Sequence, residues 1–188
     1  MKYDKLSITG LPKTFDLQDF CDSIHLLGRV SSPNDILHGI YPIEYYEAGN
    51  ALVLFQFNES ATGITLVYTP HLQTLSLCLS PWAIESDVML YVRFINFILS
   101  KFNDAKLFDA DQPVNALTED DELKMIQSHS KYLEHLLATE EGFTMEGLNC
   151  NFTLKVAHLK PASSIEKQAA ELQNVFMEMQ WTLDDYEK

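Results

Sequence analysis

The chain of 188 residues carries 27 acidic and 13 basic side chains, a formal charge of −14, with 46% hydrophobic residues and only seven glycines and seven prolines. A chain of that size and apolar content buries roughly 70% of its unfolded surface in a core without disulfides or metal, which excludes collagen-like and disordered readings. The acid excess also argues against a nucleic-acid partner, because neutralising phosphates takes clustered Lys and Arg, and no two basic residues here are adjacent.

From the N-terminus, no apolar run of signal-peptide length precedes the polar run 16–22, so a cytoplasmic protein is expected. Asp16 is placed as the N-cap of a first helix, with Asp19 three residues on, Leu17, Phe20, Ile24 and Leu27 on its buried face, and Gly28 at its end. Residues 30–39 read as a loop, 40–47 as an aromatic strand and 48–50 as a turn. Three β runs follow, 51–57, 64–69 and 74–79, joined by connectors too short for parallel crossovers, so they form an antiparallel meander. In the third run Leu75, Leu77 and Leu79 alternate with Thr74, Ser76 and Cys78, the pattern of a sheet covered on one face. The first run is apolar almost throughout and is expected at the centre of the sheet, covered on both faces.

Pro81 stops the meander, and Ser86 is the expected cap of a helix over 86–102 whose Arg93, Asn96 and Ser100 form one wet stripe. Interrupted by Arg93 and Asn96, its apolar stretch 88–99 is too short to span a bilayer, so no membrane association is expected. A short strand at 106–108 and a loop at 109–113 come next. Thr118 as N-cap with Asp121 at N3 opens a helix over 118–138, its buried face made by Leu123, Ile126, Leu133 and Leu137, with Gly142 just past its end. Residues 149–160 read as a strand with Phe152, Leu154 and Val156 on one side. Ser163 and Glu166 form a capping box for a last helix at 163–181, with Ile165, Ala169, Leu172, Phe176, Met179 and Leu183 in an apolar stripe. That stripe needs a groove, supplied either by the chain itself or by a second copy in a homodimer. The elements compose an α+β fold, an antiparallel meander sheet with three to four helices mainly on one face. One domain over 1–188 is the first division, and a smaller C-terminal lobe at 118–188 after a linker at 109–117 is the alternative.

Few residues carry a chemical signature. The three cysteines, Cys21, Cys78 and Cys150, suit reduced thiols, and there is no Cys-x-x-Cys or His-x-x-x-His to hold zinc. His129 and His135, six apart on a helix, face different ways. Asp109, Asp111, Asn115 and Asp120 approach a calcium loop, but Pro113, Val114 and Asp120 stand where an EF-hand requires an oxygen ligand, Gly and Glu. No metal and no cofactor is therefore expected. Cys21 and His25, at i and i+4, would make an activated thiol, yet no oxyanion hole or nucleophile elbow accompanies them, and His158 has no identifiable titratable partner. Residues 118–188 hold 14 acids against 6 bases, so −8 of the −14 lies there.

Together these features lead to the expectation of a non-catalytic cytoplasmic binding protein whose acidic surface recognises a basic protein, as an inhibitor or immunity-type protein would. The residues assigned to that surface are Glu119, Asp120, Glu140 and Glu141, with Tyr41, Tyr45 and Tyr46 as an aromatic complement. The alternative is an enzyme or small-ligand binder whose site gathers Cys21, His25, His158, Asp109 and Asp111 only in the fold.

Overall fold

Alternation of leucine with small polar residues dictates a strand with one dry face, and Thr74–Leu79 is one: Leu75, Leu77 and Leu79 are buried while Thr74, Ser76 and Cys78 are half-buried. In the computed structural model, which describes residues 5–17, 19–20, 29–31, 51–56, 58–148, 151–156 and 164–182, this strand is the middle of seven. In chain order they are β1 (Lys5–Thr9), β2 (Arg29–Ser31), β3 (Ala51–Phe55), β4 (Ile64–Thr69), β5 (Thr74–Leu79), β6 (Lys106–Asp109) and β7 (Gln112–Val114). They lie in the order β2-β3-β4-β5-β1-β6-β7, every neighbouring pair antiparallel. Register aligns the dry face in rows: Leu6, Leu77, Leu66 and Leu52 face one another across four strands, and Ile8 stands between Leu75 and Leu107.

The meander from β3 to β5 is as its spacing predicts. A single 3-10 turn, Pro70–Leu72, joins β4 to β5 and is closed by Gln73, whose left-handed φ of 51° lets its N–H reach the Pro70 carbonyl at 3.1 Å. The expectation for 51–57 needs correction. β3 is covered on both faces at Val53 and Leu54, but it sits second from the sheet edge, because β1 inserts between β5 and β6 and moves the centre to β5. Two loop assignments are also corrected. Within 30–39, Val30 and Ser31 belong to edge strand β2, where Val30 opposes Leu54. Within 109–113 lies a two-residue hairpin, with Asp109 opposite Gln112 and Ala110 at a φ of 51°. Pro113 is tolerated there because β7 is an edge strand, where a missing N–H interrupts no ladder.

Among the described residues, three long helices accompany the strands. α1 (Glu85–Lys101) buries Val88, Leu90, Tyr91, Val92, Phe94, Ile95 and Ile98, leaving the stripe of exposed Arg93 and Ser100 with half-buried Asn96. Its dry faces join the leucine rows of the sheet in one core. The N-cap is Ile84 rather than Ser86: Asp87 at N3 accepts from the Ile84 amide at 3.3 Å, and the Ser86 hydroxyl donates outward to the Glu59 carbonyl at 2.6 Å. Asn96 holds the stretch read as a linker, donating to the Leu117 carbonyl at 2.8 Å and accepting from its amide at 3.1 Å.

α2 (Glu119–Thr139) opens with the predicted capping box. Thr118 Oγ1 accepts from the Asp121 amide at 3.2 Å, and the Asp121 carboxylate accepts from the Thr118 amide at 3.0 Å. Its buried stripe is Met125, His129, Leu133 and Leu137, with Ile126 half-buried. Leu123, expected inside, is 53% exposed because it lies about 100° round the helix from the stripe's centre. A separate hairpin, β8 (Gly142–Glu146) and β9 (Asn151–Lys155), pairs Phe143 with Leu154 and Met145 with Phe152. Phe152, Leu154 and Val156 turn inward as the alternation predicts, whereas β8 was not anticipated. α3 (Ile165–Thr182) starts at Ser164, whose hydroxyl accepts from the Lys167 amide at 3.3 Å; Ser163 lies outside the described residues. Ala169, Leu172 and Phe176 are buried with Leu133, Leu137, Met145 and Leu154, and with Ala61 and Ile84, in a second core. The chain thus buries the middle of the predicted stripe, with Met179 half-buried, Ile165 at 44% exposure and Leu183 outside the described residues. α2 links the two cores, with Met125 in the first and Leu133 in the second. Among the described residues no helix is long and apolar enough to cross a membrane.

Candidate functional site

A carboxylate with no access to water must be surrounded by donors, and Asp87 is built that way. The third position of α1 points it back over the helix start, where the segment 60–63 turns before β4. Gly63 makes that turn with φ of 65°, and a Cβ there would stand 2.7 Å from the Leu54 carbonyl oxygen. The turn aims its amides at one point. Asp87 Oδ1 accepts from the Gly63 amide at 3.0 Å, and Oδ2 from the amides of Ala61 (3.2 Å), Thr62 (3.1 Å) and Ile84 (3.3 Å) and the Thr62 hydroxyl (3.1 Å). Burial pushes the carboxyl above its ordinary range, and the hydrogen bonds from Thr62, Ile84, Ser60 and Gly63 pull the other way. With both oxygens occupied by the loop, Asp87 positions structure.

The loop passes this anchorage on. The Ala61 carbonyl accepts from the Leu148 amide at 2.9 Å, and the Ser60 carbonyl accepts from the Trp181 indole at 2.9 Å. One short segment therefore ties the start of α1 to Leu148, just past β8, and to the last turn of α3. Nearby, Gly147 is packed so closely on buried Gln180 that a Cβ would meet its side chain at 2.4 Å.

On the outer side of the same junction lies an open cleft of about 430 Å³, bounded by residues 58–59, the start of α1 and one face of α3. Its lining includes exposed Glu59, Glu85, Asn58 and Asn174, half-buried Gln173, Met89 and Met177, and buried Ile84. The Ser86 hydroxyl, bonded to the Glu59 carbonyl, fastens one wall to the other.

The residues assigned from sequence are distributed differently. Glu119 and Asp120 begin α2 and Glu140 and Glu141 follow its end, so two exposed acidic pairs stand about 30 Å apart along a 21-residue helix. Asp120 pairs with Lys124, one turn on. Asp109 and Asp111 sit on the β6–β7 hairpin, half-buried and exposed respectively, and among the described residues no group of three or more His, Cys, Asp or Glu could hold a metal ion. His129 is buried, its Nδ1 3.3 Å from the Pro81 carbonyl, while His135 is exposed. Tyr41, Tyr45, Tyr46, Cys21, His25 and His158 lie outside the described residues. Asp87 and the cleft were missed. The available signal for Asp87 is an acid at N3 after Ile84, a spacing obscured by Ser86, which is the commoner kind of cap. Comparison with protein-family models, curated proteins and solved structures returns no match.

Proposed function

We propose that this chain is a non-catalytic cytoplasmic binding protein that recognises a basic protein partner through its acidic surface, as an inhibitor or immunity-type protein would. The observation that carries this reading is the combination of a −14 charge with exposed acids at both ends of α2. Among the described residues, only Asp120 of these four has an ion pair. Exposed acids at the two ends of a helix create a negative potential that speeds encounter with a cationic surface and orients it. The fully bonded Asp87 supports the same reading, since its oxygens serve the loop rather than a reacting group.

The test is affinity capture from native cell extract at 50 and at 500 mM salt, run with the wild type and with a variant in which Glu119, Asp120, Glu140 and Glu141 are all changed to Lys. A basic protein retained by the wild type at low salt, released at high salt and ignored by the variant supports the reading. Retention indifferent to both salt and charge reversal overturns it.

A further inference from the structure

We infer that the cleft between residues 58–59, the start of α1 and α3 receives a lysine side chain presented by a basic peptide segment. This inference rests on the basic-partner reading and gives that partner a docking point. At about 430 Å³ the cleft falls within the roughly 300–1,000 Å³ range of ligand pockets, enough for a side chain and its adjoining backbone.

The lining selects the occupant by charge and shape. Among the described residues it contains two carboxylates, Glu59 and Glu85, and no Lys, Arg or His, so these residues attract an entering cation. Less exposed than those acids, Ile84, Met89 and Met177 give the lining its apolar part. Lysine matches this profile because its methylene stem lies along apolar surface while the ammonium reaches polar groups at the edge. Methionine thioethers adapt to such a stem. The lining amides Asn58, Gln173 and Asn174 each carry a donor and an acceptor that suit a peptide backbone. The walls are also prearranged: Ser86 bonds Glu59, and behind them Asp87 fixes the loop whose Ser60 carbonyl holds Trp181 of α3. A site fixed before the ligand arrives loses less ordering entropy on binding.

The experiment is a titration of the full chain, followed by amide NMR, with the blocked tripeptide Gly-Lys-Gly and its norleucine counterpart, which keeps the stem and lacks the charge. The expected result is saturable shifts at Asn58, Glu85, Ser86, Gln173 and Asn174 for the lysine peptide, and none of comparable size for norleucine. The double change Glu59→Gln and Glu85→Gln, both at exposed positions, should weaken binding about three- to tenfold, and Ala170→Trp, from an exposed position on the α3 wall, should abolish it. Equal binding of the two peptides, shifts confined to other surfaces, or unchanged affinity in the double variant overturns the inference. In the capture experiment, retention of the basic partner by the Glu59, Glu85 double variant overturns the cleft alone. Failure of the wild type to retain any salt-sensitive basic protein overturns the broader reading instead.

Discussion

Asp87 illustrates how one side chain joins parts of the chain that local sequence does not connect. It accepts from Ala61, Thr62, Gly63 and Ile84 at once. Replacing it with Ala would leave these buried donors facing a void, and the expected loss of stability is about 3–5 kcal/mol. Asn keeps one acceptor but turns an NH2 toward an amide that also donates, for a loss of about 1–3 kcal/mol. Urea unfolding of both variants checks this order, and an Ala variant no worse than Asn would contradict it. The pH dependence has a definite sign. Because burial raises the folded pKa above the ordinary 3.8, there is a window above 3.8 in which native Asp87 keeps a proton that the unfolded chain has released. The folded state then binds more protons, so the stability from this group is full below 3.8 and is lost as pH rises through the folded value. The deficit of Asp87→Asn relative to wild type should therefore be largest at the acid end and narrow as pH rises. A deficit that widens with pH would mean that the loop amides outweigh burial.

Among the elements, those with several periods of pattern were legible and the short ones were not. β4, β5, α1 and α2 each display enough alternation or helical spacing to announce a buried face, and Thr118 with Asp121 announces a helix start through hydrogen bonds that exist. β2 and β7 have three residues each, fewer than two full alternations, and the β6–β7 turn uses Ala110 where a glycine would have marked the left-handed position. On α2, apolar identity alone placed Leu123 inside, whereas the actual stripe steps by four through Met125, His129, Leu133 and Leu137 and admits a histidine. Two substitutions separate these descriptions. Leu133→Ala should cost about 2–5 kcal/mol, as expected for a cavity in the second core, and Leu123→Ala should remain within about 0.5 kcal/mol. Thermal or urea unfolding that ranked the two equally would refute the assignment of the helix face.

At the scale of the whole molecule, the unpredicted features are the non-local ones. β1 enters the sheet between β5 and β6, and the cleft gathers residues 58–59, 84–89 and 170–177; no short-range pattern records either arrangement. The charge, by contrast, is legible in sequence while its distribution is not. The two acidic pairs of α2 are separated by about 30 Å, roughly three Debye lengths at 0.1 M salt, so each end acts on an approaching partner almost independently. Reversing Glu119 and Asp120 alone, or Glu140 and Glu141 alone, should therefore slow association with a basic partner by separate factors whose product matches the fourfold reversal. Asp120 already shares its charge with Lys124, which predicts the smaller factor for the N-terminal pair. Stopped-flow association at low salt measures all three rates. If neither pair changes the rate, the acids of α2 are a solvated surface and the partner must be sought at the cleft.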